Sequence, residues 1–228
     1  MTEQSRQRIR SFVLRPGRMT DAQRRALEEH WPHFGLEREA GILDPADEFG
    51  RKAPLIMEIG FGMGQSLLAM AAAAPQDNFI GVEVHRPGVG RLLHGMSEAS
   101  VDNIRVYCDD AVQVLEQCIS PGSLHGVQIY FPDPWHKKRH HKRRLIQPEF
   151  VDLLCSRLAR GGYLHLATDW ENYAEHMLEV LEASPQLANR AGAGLYSERP
   201  PWRPETKFER RGQRLGHGVW DLLYDRTG

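Results

Sequence analysis

Cysteine is scarce in this chain. Cys108, Cys118 and Cys155 are its three thiols, scattered, odd in number and without a C-x-x-C pair. That usage argues against a disulfide framework and a cysteine zinc cluster, and for reduced thiols in a cytoplasmic protein. No run of about 18 or more apolar residues occurs, so no membrane span is expected. The N-terminus is arginine-rich and lacks the apolar centre of a secretory signal. Nothing in the first 50 residues is repetitive or of low complexity.

A large net charge is missing too. The formal charge is −1, which by itself says nothing for nucleic acid. Its distribution says more. Residues 136–144 hold six Lys/Arg, three His and no acid, residues 1–25 hold seven Arg against Glu3 and Asp21, and residues 199–214 hold six Lys/Arg against Glu205 and Glu209. Three basic patches on a near-neutral protein suggest one basic face. At 228 residues, with 41% hydrophobic and 26% charged, the chain suits one soluble α/β domain with extensions.

The chain is organised around residues 55–66, LIMEIGFGMGQS. Leu55, Ile56, Met57 and Ile59 make a short apolar run that suits a strand buried on both faces. Gly60, Gly62 and Gly64 then alternate through a turn into an alanine-rich helix. Such glycines allow a tight bend and let a ligand approach the backbone, and the helix start offers free N–H donors. A dinucleotide cradle spaces its glycines G-x-G-x-x-G for a pyrophosphate. Here the spacing is G-x-G-x-G, and Glu58 stands two residues before the first glycine, where it would repel a pyrophosphate and attract an ammonium group.

Alternating strands and helices follow: strands over 78–84, 103–108, 127–131, 163–167 and 218–225, with helices over 66–74, 86–100, from 109/110, 147–159 and 170–183. This is the signature of a Rossmann-like, doubly wound, mostly parallel sheet. Upstream, residues 20–31 suit a helix capped by Thr20, residues 35–51 read as loop, and residues 1–50 as a whole as a basic, flexible N-terminal extension. Glu83 follows Gly64 by 19 residues, close to the roughly 20 expected of an acid that grips ribose hydroxyls. Asp109 and Asp110 open a helix after the third strand; one of them suits an N-cap. Strand 127–131 runs into Pro132-Asp133-Pro134-Trp135, where two prolines stiffen the exit at the ligand-binding edge. Trp135 either stacks on an extruded base or packs the loop. His140 and His141 are adjacent, which suits a charged loop better than a metal site. His165, within a strand, reads as a core or edge histidine.

E-x-G-x-G-x-G resembles the first motif of class I S-adenosylmethionine-dependent methyltransferases. FPDPWHKKRHHKRR, taken with MEIGFGMG before it and ATDW and TKFE after it, resembles the bacterial tRNA (guanine-N7-)-methyltransferase family over about residues 54–225. The resemblance implies a methyltransferase domain over 51–228 acting on N7 of guanosine 46 in the variable loop of tRNA. It assigns Glu58, Glu83 and Asp110, with the cradle Gly60, Gly62 and Gly64, to S-adenosylmethionine, and Asp133 to both the cofactor and catalysis. Lys137, Asp169 and Thr206, Lys207, Phe208 and Glu209 would contact the substrate, and Arg139, His140, His141, Lys142, Arg143 and Arg144 would lie along the RNA. No metal is implied, and a monomer is the simplest expectation. The competing readings are a methyltransferase acting on another RNA, a protein or a small molecule, a non-catalytic RNA-binding module on the same fold, and an NAD-dependent oxidoreductase, which the glycine spacing disfavours.

Overall fold

The computed structural model describes residues 11–13, 17–205, 209 and 218–228. Thr20 and Gln23 form a reciprocal capping box that starts α1 (Asp21–Phe34). β1 (Gly35–Leu36), a 3-10 turn (Arg38–Ala40) and α2 (Pro45–Phe49) follow. The next units alternate strictly: β2 (Leu55–Ile59), α3 (Gln65–Ala73), β3 (Asn78–Val82), α4 (Arg86–Ala99), β4 (Ile104–Tyr107), α5 (Ala111–Cys118) and β5 (Leu124–Tyr130). After a 3-10 segment (Lys138–Arg143) come α6 (Pro148–Arg157), β6 (Leu158–Thr168), α7 (Glu171–Glu182), β7 (Leu187–Asn189) and β8 (Trp220–Arg226).

The strands form one sheet in the order β1-β4-β3-β2-β5-β6-β8-β7. β1 to β6 pair in parallel, and β8 runs antiparallel to both β6 and β7. The winding reverses between β2 and β5, which places a crevice beyond their carboxyl ends. All five residues of β2 are buried, as a central strand covered on both faces requires.

Each face has its own core. Met57, Ile59, Val127 and Leu164 meet Leu115, Leu154, Met177 and Leu181 of α5, α6 and α7. Ile56, Phe79 and Tyr130 meet Leu27, Leu67, Met70 and Leu92 of α1, α3 and α4. Each such Leu or Met, fully buried, contributes roughly 1.5–3 kcal/mol. A polar row crosses the second face at mid-sheet: Glu58, Gln128 and His165 are register neighbours on β2, β5 and β6. Among the described residues no helix is long and apolar enough to cross a membrane.

Three expectations are corrected. The stretch 35–51 is not loop: β1 extends the sheet beside β4, and Asp44 caps α2 through the N–H groups of Ala46 and Asp47. Nor are residues 21–49 a flexible extension. α1 lies so close to α4 that a β-carbon on Gly90 would stand 2.5 Å from the Gln23 carbonyl oxygen, and Arg38 pairs with Asp109 at 2.7 Å. Residues 1–10 and 14–16 of that segment lie outside the described residues. Finally, the helix expected over 147–159 ends earlier: α6 stops at Arg157, and β6 begins at Leu158 and carries Gly161 and Gly162 in a register irregularity opposite Leu124–Gly126.

Candidate active site

A cavity of about 220 Å³ opens beyond the carboxyl ends of β2 to β5. Gly60, Glu83, Asp110, Tyr130 and Asp133 line it, and Ser11 and Phe12 reach it from the N-terminal segment. Four strands thus bring together residues that the sequence spreads over some 70 positions.

The glycine turn has the conformation its sequence requires. Gly60, Gly62 and Gly64 have φ of 74°, 59° and 75°, a region that side chains rarely adopt. At Gly60 and Gly62 a β-carbon would meet nothing within 4 Å, whereas at Gly64 it would strike Leu92 at 2.7 Å. The first two therefore leave open space at the cradle, and the third allows α4 to close on it. α3 begins at Gly64 with no side-chain cap, so its first N–H groups lack that partner.

Three acids stand around the turn in different electrostatic states. Glu58 is 2% exposed, and its Oε2 has no hydrogen-bond partner among the described residues. Burial, assisted by the charge of Glu83, pushes its carboxyl up to about 8, so the neutral form prevails at pH 7. Glu83 accepts from the N–H of Gly62 at 2.8 Å, of Val84 at 2.8 Å and of His85 at 3.0 Å. It ties the cradle to the end of β3 and keeps about one of its four acceptor positions for a ligand. Asp110 caps α5 through the Val112 N–H, while Asp109 binds Arg38. The bland and functional readings of Asp110 coexist, since the cap uses one oxygen and the residue still lines the cavity.

The stretch 131–135 is a strained turn. Phe131 and Trp135 have φ of 52° and 49°, each costing about 1–3 kcal/mol unless the surroundings enforce it. They do so at several points. The Phe131 N–H donates to the Ala167 carbonyl at 2.8 Å, and the Trp135 indole N–H donates to the Ser11 carbonyl at 3.0 Å. Arg143 lies over the Trp135 ring at 4.8 Å, and His140 stands edge-on to it. Trp135 therefore packs the loop. Asp133, between the two strained residues, stays exposed at the cavity.

The basic run forms a 3-10 segment after this turn, with Lys137, Lys138, Arg139 and Lys142 outward. Arg144 departs from the expectation that the whole run follows RNA. It is 3% exposed, and its guanidinium donates to the carbonyls of Pro134 and Asn172 and to Asn172 Oδ1. It also lies 4.7 Å from the Tyr173 ring. His141 is half-buried against it, and burial with the Arg144 charge lowers its pKa. Asp169 is exposed at the end of β6, next to Trp170, whose ring centroid is 4.2 Å from that of His136.

Glu209 is the second departure. It is 2% exposed and forms a two-point ion pair with Arg203, so its carboxylate faces inward instead of toward a substrate. Thr206, Lys207 and Phe208 lie outside the described residues. Sequence reasoning missed Arg203 altogether; it looked like one more cation in a basic stretch. Arg203 also grips Asp221 at 2.7 and 2.8 Å, Asp221 accepts from His165 at 2.7 Å, and His165 meets the Tyr130 hydroxyl at 3.0 Å.

The model of a family described as "Putative methyltransferase" matches residues 52–222. A tRNA (guanine-N(7)-)-methyltransferase of Alcanivorax borkumensis is 61% identical over 219 residues, covering 96% of this chain and 92% of the relative. One of Ectopseudomonas mendocina is 59% identical, covering 99% and 96%. The chain belongs to the tRNA (guanine-N(7)-)-methyltransferase family. Likeness in fold extends further. A 16S rRNA methyltransferase, KamB, superposes with a TM-score of 0.58 at 13% identity, covering 82% of this chain and 95% of that one. An rRNA methylase of Streptococcus thermophilus does so at 0.54 and 12%, covering 77% and 88%. Membership of the family removes the oxidoreductase reading and makes the cavity beyond β2 to β5 the place to look for a methyl donor and its acceptor.

Proposed function

We propose that this chain transfers a methyl group from S-adenosylmethionine to N7 of guanine in tRNA, at guanosine 46 of the variable loop, as a cytoplasmic enzyme. The observation that carries the reading is the meeting of Gly60, the first glycine of the cradle, with Glu83, Asp110 and Asp133 in one cavity, in a chain about 60% identical to enzymes of that name. The residues fit the cofactor. Glu58 offers a buried carboxyl oxygen with no partner among the described residues, and Gly60 and Gly62 leave space where β-carbons would stand. Glu58 would hold the ammonium of the amino-acid tail, Glu83 the ribose and Asp110 the adenine amino group. When bound, S-adenosylmethionine supplies a methyl carbon already activated by its sulfonium.

The protein's task is then mainly alignment. Guanine N7 carries a lone pair and no proton, so its attack needs no general base. Fixing the ring against the methyl donor is worth roughly 7–11 kcal/mol. Asp133 stands at the cavity on an enforced turn, suited to accept from guanine N1–H and the N2 amino group. A carboxylate there also offsets the positive charge that grows on the ring. Adenine lacks both donors in that arrangement, and a site built for them discriminates by roughly 10⁴–10⁵. The outward cations Lys137, Lys138, Arg139 and Lys142, with Arg143 over Trp135, would follow the phosphates, and Asp169 would contact the substrate beside them.

Incubation with methyl-labelled S-adenosylmethionine and unmodified total tRNA tests the reading. Label in 7-methylguanosine after digestion is the expected result. Label in a different nucleoside, or bound tRNA without label, would overturn it.

A further inference from the structure

The buried network beneath the Asp133 turn is larger than the packing of one strand requires. Arg203 is 1% exposed, Glu209 2%, Asp221 3% and His165 0%. Arg203 donates from Nη1 and Nη2 to the two oxygens of Glu209 and from Nε and Nη2 to the two oxygens of Asp221, at 2.6–2.8 Å. The two carboxylates hold its guanidinium charged against the effect of burial. Asp221 also accepts from His165 Nε2. That leaves His165 Nδ1 as an acceptor, to which the Tyr130 hydroxyl donates. Burial, outweighing the pull of Asp221, lowers the pKa of His165 and keeps the ring neutral.

Such a network is a poor way to gain stability, because taking charges out of water offsets most of the attraction between them. It is a good way to fix geometry. The guanidinium lies 5.9 Å from the Tyr130 ring and 5.7 Å from the Phe131 ring. Phe131 is the left-handed residue two positions before Asp133. On the other side of the turn, Arg144 holds the Pro134 carbonyl. The turn thus lies between two buried arginines: Arg203 faces the aromatic ring before Asp133, and Arg144 hydrogen-bonds the carbonyl after it.

We infer that Arg203 is a positioning residue: held between Glu209 and Asp221, it presses on Tyr130 and Phe131 and so fixes the direction of Asp133. The inference rests on the methyl-transfer reading. It also gives Glu209, the last residue of the TKFE motif, a role other than direct substrate contact.

A double-mutant cycle separates positioning from mere support. Arg203→Lys keeps a charge but cannot bridge both carboxylates in a fixed plane. Single-turnover methylation of tRNA should fall about 30-fold or more in Arg203→Lys, and by less than about threefold when the same change is made in Asp133→Asn. S-adenosylmethionine binding, read by calorimetry, should stay within about threefold in both. Equal losses in the two backgrounds, or a native rate in Arg203→Lys, overturn the inference. Should Arg203→Lys lose cofactor binding, Phe131→Leu, which removes the aromatic face under the guanidinium, takes its place in the cycle. There the same non-additivity supports the inference and additivity overturns it. Absence of 7-methylguanosine from the unaltered enzyme would instead be a failure of the methyl-transfer reading.

Discussion

Arg144 Nε donates to the carbonyl oxygen of Pro134 across 3.0 Å, so the last cation of the basic run anchors the turn that carries Asp133. Within one short segment, neighbouring cations have opposite tasks. Lys138, Arg139 and Lys142 face solvent, and Arg144 faces the protein.

This division gives contrasting outcomes. Arg144→Ala leaves buried acceptors unpaired and should lower stability by about 3 kcal/mol. Lys138→Ala and Lys142→Ala should change stability by less than about 0.5 kcal/mol. Each should reduce the slope of log affinity for tRNA against log salt by roughly 0.7–0.9. Denaturant unfolding and salt-dependent binding measure the two effects; an Arg144 variant of native stability would contradict the anchor role.

Glu58 should make both stability and cofactor affinity depend on pH. Its folded pKa is raised from an ordinary 4.5 to about 8. The stability associated with its neutral form is therefore fully present below 4.5 and is lost as pH rises through 8. The slope is at most about 1.4 kcal/mol per pH unit. An ammonium group favours the ionised carboxyl, so S-adenosylmethionine should bind more tightly as pH rises from about 6 to 7.5. Glu58→Gln should abolish this rise and, above about pH 8, unfold at higher temperature relative to the native chain than it does at pH 5. Calorimetric binding and thermal unfolding across pH test both, and a Gln variant that tracks the native chain would contradict the assignment.

Glu83 acts on the cofactor site through the backbone it holds. Glu83→Gln cannot accept from Gly62, Val84 and His85 together, so stability should fall by about 1–3 kcal/mol. Cofactor affinity should fall about tenfold or more, with turnover at saturating cofactor largely retained. A fall in turnover without loss of affinity would move Glu83 from binding to alignment.

Asp133→Asn keeps the size of the side chain and removes its charge. Turnover on tRNA should fall about 10²-fold or more while cofactor binding is largely kept. Collapse of cofactor affinity would instead make Asp133 mainly a cofactor ligand, and unchanged turnover on guanine would remove its role.

The parallel sheet and the cradle were legible because both are local. A buried apolar run, glycines at fixed offsets and alternating helices are written in consecutive residues, and β2 with its turn follows them closely. Direction and burial were not. Arg143 and Arg144 are indistinguishable as letters, yet only the second meets Asn172 across 28 positions. Glu209 looked like the exposed end of a substrate motif because its partner Arg203 sat in a stretch that resembled a basic surface. The two-residue strand β1 carries too little pattern to signal itself; it exists because α1 packs on α4 and delivers Gly35 and Leu36 beside β4.

One comparison tests the reaction and its position on tRNA together. Two transcripts of a single tRNA, identical except for guanosine or adenosine at position 46, are given to the enzyme with labelled S-adenosylmethionine. The expected result is 7-methylguanosine in the first transcript and no label in the second. Equal labelling of both, or label in the second alone, would contradict it.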